Sequence, residues 1–226
     1  MNDTPNLVRI AALIGDFARA EALSALMAGQ ALTVTELANR AGVTKQTISG
    51  HLSKLLEGGL LACEQQGRHR YYRLASTEVA QVLEALMGLS QQTATPHQQV
   101  GPRQPALRKA RTCYDHLAGE LAVVAYDAML SRQLLSKQDD AITLTDRGLD
   151  WLAQSGIDTA QMTGRRPLSR PCLDWSERRH HLAGKLGRAM LVHVLDQGWA
   201  TRAPESRVVS FSAPGERDFR AWILFE

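Results

Sequence analysis

The 226-residue chain is 44% hydrophobic, 22% charged and only 5% aromatic, with three cysteines and a formal net charge of +3, enough for one large or two small domains with real cores. Arg9, Asp16, Arg19 and Glu21 break the most apolar early stretch well short of the roughly 18–20 apolar residues a membrane span needs, and Met1-Asn2-Asp3-Thr4 lacks the basic start and apolar block of a signal peptide. A cytoplasmic protein is expected, and Cys63, Cys113 and Cys172 are too few and too dispersed for a secreted disulfide scaffold.

Between residues 7 and 27, Leu7, Ile10, Leu13, Ile14, Phe17, Leu23 and Leu26 recur at three- and four-residue steps, which predicts one long amphipathic helix. Thr33 or Thr35 caps a short helix ending before Ala41-Gly42-Val43, and Thr44 caps another that runs to about Glu57 and stops at Gly58-Gly59. Helix, tight glycine turn, helix is the helix-turn-helix pattern. Residues 60–64 and 68–74 read as a hairpin with a basic tip. Ser76 or Thr77 then caps a helix whose apolar face is Val79, Val82, Leu83, Leu86 and Met87. The Pro- and Gln-rich residues 93–105 read as a linker, which divides the chain into 1–92, the linker, and 106–226.

The second half predicts helix over 106–134, a strand over 141–144, and a helix capped at Thr145-Asp146 and bearing Leu149, Trp151 and Leu152, with 156–171 irregular. Asp174-Trp175-Ser176-Glu177 has capping-box spacing and predicts a long helix to about Gln197. Residues 199–202 and 208–211 read as paired strands and 215–222 as a closing helix. The fold class is mostly α with small β-hairpins (α+β), with a second α+β domain for which a winged-helix-like arrangement is one option. Trp151, Trp175, Trp199 and Trp222 all fall here and are expected in its core. One internal echo spans this domain: Cys113-x-Asp115 and His116-Leu117-Ala118-Gly119 return as Cys172-x-Asp174 and His181-Leu182-Ala183-Gly184.

Charge is local: residues 1–39 balance at −2 and residues 40–73 at +4. On the helix after Thr44, Ile48, Leu52, Leu55 and Leu56 share one side, leaving Gln46, Thr47, Gly50, Ser53 and Lys54 opposite, with Ser49 and His51 at the margins and Lys45 in the first turn. Small polar side chains let a helix approach the floor of a major groove, where amides and hydroxyls reach base edges. Thr44 and the helix N-terminal amides can hold phosphate, and Arg68, His69 and Arg70 on the hairpin add backbone or minor-groove contacts. No glycine-rich phosphate loop, Gly-x-Ser-x-Gly elbow or His-Glu-x-x-His helix is present, so no catalytic residues are expected. The alternative to a DNA reader is a winged-helix protein-interaction module.

Thr35-Glu36-Leu37-Ala38, Ala41-Gly42-Val43-Thr44, Thr47 to Leu55, Gly59-Leu60-Leu61 and Gly67-Arg68-His69-Arg70-Tyr71-Tyr72 together resemble the winged-helix domain of ArsR-type bacterial transcriptional repressors, over about residues 5–90. The resemblance implies a homodimer joined through its first and last helices, on an imperfect palindrome of double-stranded DNA, with reading helices about 34–36 Å apart and an inducer that releases them. Metal-sensing members often carry cysteines before the turn or in the recognition helix; residues 35–40 and 44–57 hold none. The inducer site is therefore expected in the C-terminal extension, where a comparable Cys-x-Asp and an Asp-Trp-Ser-Glu-Arg-Arg stretch occur in some members.

Cys172 lies near Arg170, Arg178, Arg179 and the expected helix start at Asp174, a setting that favours thiolate. Cys113, Asp115, His116, Asp174, His180 and His181 are its candidate partners, a set of thiolate, imidazole and carboxylate suited to zinc, cadmium or lead. Thiol oxidation, and an organic inducer beside purely structural cysteines, are the competing readings. Cys63 is expected to be packing. Arg165, Arg166, Arg170, Arg178 and Arg179 are expected on a solvated face, a second phosphate contact beside the hairpin being the alternative.

Overall fold

The computed structural model describes residues 7–66, 69–92, 102, 104–138, 141–160, 162–203 and 206–224. The chain forms two compact units that divide in sequence between Leu83 and Glu84.

The expected first helix is two: α1 (Leu7–Ile14) and α2 (Phe17–Leu26). Asp16 is extended (φ −112°, ψ 135°) and its carboxylate accepts from the Arg19 amide at 3.0 Å, capping α2. Arg19 reaches back to donate to the carbonyls of Leu13 (2.6 Å) and Ala12 (2.8 Å), which closes the end of α1. Apolar periodicity runs unbroken through this junction, so periodicity alone misses it. After β1 (Leu32–Thr33), Thr33 caps α3 (Val34–Ala41) with a full capping box to Glu36, and Gly42 ends it in the left-handed region. Thr44 caps α4 (Lys45–Glu57), followed by β2 (Leu61–Gln66) and β3 (His69–Leu74). The three strands form an antiparallel sheet in the order β1-β3-β2. Leu23, Leu26, Met27, Leu37, Ile48, Leu52, Leu55 and Leu74 are buried together as the core beneath α4.

Helix α5 (Thr77–Gln92) runs through the division. Its buried stripe is Ala80, Leu83, Glu84 and Gly88, whereas Val82 and Leu86 of the expected apolar face are exposed. Most of the expected linker, 93–101 and 103, lies outside the described residues; α6 (Pro105–Lys109) follows.

Two expectations for the second unit are overturned. In place of helix from residue 106 onward, β4 (Arg111–Cys113) and β5 (His116–Ala118) form a hairpin before α7 (Glu120–Ser131). Nor does a helix start at Asp174. That carboxylate does accept from the Ser176 and Glu177 amides, but the turn it closes joins β8 (Arg170–Leu173) to β9 (His180–Ala183), and α9 (Gly184–Asp196) starts ten residues after Asp174. An aspartate two or three residues before free amides can close a hairpin turn as readily as open a helix.

These corrections give the internal echo its structural form. Hairpin β4–β5 with α7, then hairpin β6 (Leu135–Gln138)–β7 (Ala141–Leu144) with α8 (Asp146–Gln154), is repeated as β8–β9 with α9, then β10 (Ala200–Arg202)–β11 (Val209–Phe211) with α10 (Ala213–Leu224). The match extends to single hydrogen bonds. Thr145 caps Gly148 and donates its amide to the Leu134 carbonyl; Ser212 caps Gly215 and donates its amide to the Trp199 carbonyl. Trp151 and Trp222 stack at 4.7 Å in the core, as expected of them.

Candidate nucleic-acid interface and candidate metal centre

On α4, Ile48, Leu52 and Leu55 are fully buried, while Thr44, Lys45, Gln46, Thr47, Ser49, Gly50, Ser53 and Lys54 are exposed. Leu56 is half-buried. Thr44 accepts from the Thr47 amide at 3.1 Å, leaving the amides of Lys45 and Gln46 at the helix start, where the macrodipole favours an anion. His51 is half-buried, with Nδ1 3.2 Å from Arg19 and 3.5 Å from Asp16, which tethers it to α2. His69 and Arg70 are exposed on β3, and Arg68 lies outside the described residues. Cys63, opposite Tyr72 in the β2–β3 ladder, is half-buried.

In the second unit, each copy of the repeated hairpin contributes one cysteine and one histidine that face each other in its ladder: Cys113 with His116, and Cys172 with His181. The four ligand atoms lie within 4.8 Å of one another. The two sulfurs are 4.0 Å apart and the two Nε2 atoms 3.1 Å apart. Each imidazole has a carboxylate at its other nitrogen: Asp115 at 3.3 Å from His116 Nδ1, and Asp174 at 3.4 Å from His181 Nδ1. Such carboxylate–imidazole pairs direct Nε2 toward a metal. A tetrahedral zinc with Zn–N of about 2.05 Å and Zn–S of about 2.3 Å has edges of about 3.3 Å between nitrogens and about 3.8 Å between sulfurs, close to the spacings here.

Of the seven residues singled out in the sequence, four therefore converge and two aspartates back them. His180, which alternates with His181 along β9, is exposed beside the Tyr126 ring and is not among the four. Cys172 owes its character to neighbours in a hairpin and to no helix start. The hydrogen bond from Cys113, followed by those from His116 and His181, depresses it to about 2, while the same bond and burial push Cys113 up. Burial alone would lower His181, but Asp174 and Cys172 outweigh it and hold the imidazole at about 9. Burial opposes ionisation of Asp115 and Asp174, yet Arg166 and His116 at the first, and His181 and Arg111 at the second, keep both well below the usual carboxylate range.

Sequence reasoning missed the charges behind this cluster. Asp174 accepts from Arg111 at 2.8 Å and from the Gly119 amide at 2.7 Å. Arg111, fully buried beside the Trp175 ring, also lies 3.7 Å from Glu84 on α5, and Arg207 lies 3.6 Å from the same carboxylate. The available signal was the Ala80-Glu84-Gly88 spacing, a four-residue buried stripe containing one acid. Arg166, expected on a solvated face, pairs with Asp115 through both guanidinium nitrogens.

Comparison with known proteins places the helix-turn-helix. A family described as helix-turn-helix domain matches residues 16–64. The HTH-type transcriptional regulator YdfF of Bacillus subtilis (strain 168) is 39% identical over 216 residues, 95% of this chain and 96% of that protein. Among solved structures, the homodimeric winged helix-turn-helix DNA-binding domain of Mb0332 from Mycobacterium bovis is 23% identical, covering 43% of this chain and 97% of its own, with a TM-score of 0.38. The cadmium sensor CMTR from Mycobacterium tuberculosis is 31% identical over 43% of this chain and 100% of its own, with a TM-score of 0.33. The chain belongs to the helix-turn-helix transcriptional regulators, and its first unit carries the helix-turn-helix followed by a β-hairpin wing. Among the described residues no helix is long and apolar enough to cross a membrane.

Proposed function

We propose that the protein is a homodimeric, cytoplasmic repressor that reads a palindromic operator through residues 44–54 and the β2–β3 hairpin, and is released when a thiophilic divalent cation (zinc, cadmium or lead) binds Cys113, His116, Cys172 and His181. Residues 1–92 serve DNA binding and dimerisation, and 106–226 serve sensing. The exposed polar face of α4, anchored by a buried aliphatic one, carries the DNA-reading half. The DNA contacts are Thr44, Lys45, Gln46, Thr47, Ser49, Gly50, Ser53, Lys54, His69 and Arg70, with His51 at the margin of the helix face, and Arg68 as the sequence expects. A second copy of the chain is the natural cover for exposed Leu7 (76%), Val8 (77%) and Phe17 (75%) on α1 and α2, and for Val82 and Leu86 on α5.

The inducer reading rests on the Nε2 atoms of His116 and His181 facing each other at 3.1 Å in a buried site. Two imidazoles whose Nδ1 atoms face carboxylates turn lone pairs toward each other unless a cation, either a proton or a metal, lies between them. Cys113 and Cys172 supply the sulfurs that select a soft metal over magnesium or calcium.

The test has two arms. Binding to random duplex should weaken steeply with salt, and Lys45→Ala should reduce the slope by about 1; salt-independent binding would leave the interaction-module reading. Titration with Cd²⁺ should give thiolate charge-transfer absorption at one equivalent per chain and reduce affinity for a duplex selected from a random pool. Cys113→Ser/Cys172→Ser should retain duplex binding and lose both effects. Release by peroxide but not by Cd²⁺ in the wild type would favour the thiol-oxidation reading instead.

A further inference from the structure

Building on the metal-site reading, the geometry points to a buried charge relay, His181–Asp174–Arg111–Glu84, that couples occupancy of the centre to the position of α5. Asp174, anchored by the Gly119, Ser176 and Glu177 amides and the Ser176 hydroxyl, also faces Arg111 on one side and His181 on the other. One oxygen accepts from Arg111 at 2.8 Å, and the other lies 3.4 Å from His181 Nδ1, an ion-pair distance without hydrogen-bond alignment. Arg111 in turn stands between two acids, close to Asp174 and distant from Glu84 (3.7 Å). Glu84 is 3% exposed, and neither of its oxygens has a protein hydrogen-bond partner, although two guanidinium groups lie within 3.6–3.7 Å.

A buried carboxylate held just beyond hydrogen-bond reach of two cations is far costlier than one that closes on them, so a small shift separates a loose from a closed arrangement. A divalent cation on His181 Nε2 makes the Nδ1–H a stronger donor and draws Asp174 toward the imidazole. That loosens the hold of Asp174 on Arg111 and frees the guanidinium to close on Glu84. Glu84 lies on α5, and a methyl placed on Gly88, one turn later, would sit 3.7 Å from Trp175 Cβ in the same turn that carries Asp174. The acid thus sets this stretch of α5 against Arg111 of β4 and Arg207, and the close approach sets it against the β8–β9 turn. Because α5 is one helix from Thr77 to Gln92, a displacement at Glu84 is passed along its axis.

The test is a thermodynamic cycle on the full chain: affinity for the selected duplex with and without Cd²⁺, and Cd²⁺ affinity read from charge-transfer absorption with and without the duplex. Reciprocity requires the same factor both ways, expected at about ten-fold or more for the wild type. Glu84→Gln should keep Cd²⁺ affinity within about three-fold and bring the coupling factor below about two. A variant that binds Cd²⁺ normally and retains the wild-type coupling factor overturns the relay while leaving the metal site standing. Cd²⁺ binding to wild type with no effect on duplex affinity overturns the relay as well, and identifies the centre as structural. If no charge-transfer band develops, the metal reading itself fails. Should Glu84→Gln not fold, Arg207→Gln, whose side chain is 14% exposed, removes one of the two cations facing Glu84 and should lower the coupling factor in the same assay.

Discussion

Gly119 (φ +91°) and Gly184 (φ +89°) stand at the same point of the two repeats, between a ligand-bearing hairpin and its helix. A Cβ there would meet the Arg108 carbonyl at 2.5 Å in the first and the Leu168 carbonyl at 2.8 Å in the second, on top of a backbone conformation closed to L residues. Gly119→Ala and Gly184→Ala should each destabilise the second unit by roughly 2–4 kcal/mol, measured by denaturant unfolding. Gly50, in the middle of α4, has open space around its missing Cβ. Gly50→Ala should therefore stabilise the chain by about 0.5–1 kcal/mol, yet weaken binding to the selected duplex several-fold if this face of α4 enters the groove as proposed. Unchanged duplex affinity in that variant would mean that this face of α4 does not enter DNA.

Helix α3 positions the turn that presents α4, and its start rests on the reciprocal bonds of Thr33 and Glu36. Thr33→Ala should cost about 1 kcal/mol in chemical denaturation. The backbone amide of Thr33, then its hydroxyl, holds the Glu36 carboxyl below its ordinary value. A carboxylate depressed on folding stabilises in full above its unfolded value, and that contribution disappears as pH falls through the folded one. Acid titration of stability should therefore show a loss below the ordinary glutamate range that is smaller in Glu36→Gln; equal profiles would place the acid sensitivity elsewhere. At this scale the sequence was a good guide wherever a cap is local, as at Thr33, Thr44 and Thr145. It failed at Asp16 and Asp174. There the same side-chain-to-amide bond is made, but the path of the chain around it is set by Arg19 in one case and by the return of β9 in the other.

Across the molecule, the duplicated hairpins converge on one centre, so a cation there would bind the folded second unit and not the unfolded chain. By mass action, metal at one hundred times its dissociation constant should add about 2.7 kcal/mol, seen as a raised melting temperature by calorimetry. His181→Asn should abolish that shift. A shift that persists in the variant would place the metal elsewhere.

The helix-turn-helix and the exposed polar face of α4 were legible in the sequence because each depends on contacts within a few residues: hydrophobic steps, a capping threonine, a left-handed glycine. The echo of Cys-x-Asp and His-Leu-Ala-Gly was legible too, and so were the residue types of the candidate metal centre. The pairing of those echoes was not. Cys113 and Cys172 are 59 positions apart, and only hairpin registers that put each cysteine opposite a histidine bring the four side chains together. Arg111 was equally hidden, and Glu84 showed only as one acid in the Ala80-Glu84-Gly88 spacing, which does not reveal its partner. The partners of a buried charge are chosen by packing between distant segments, where the desolvation of each charge makes the identity of its neighbour decisive.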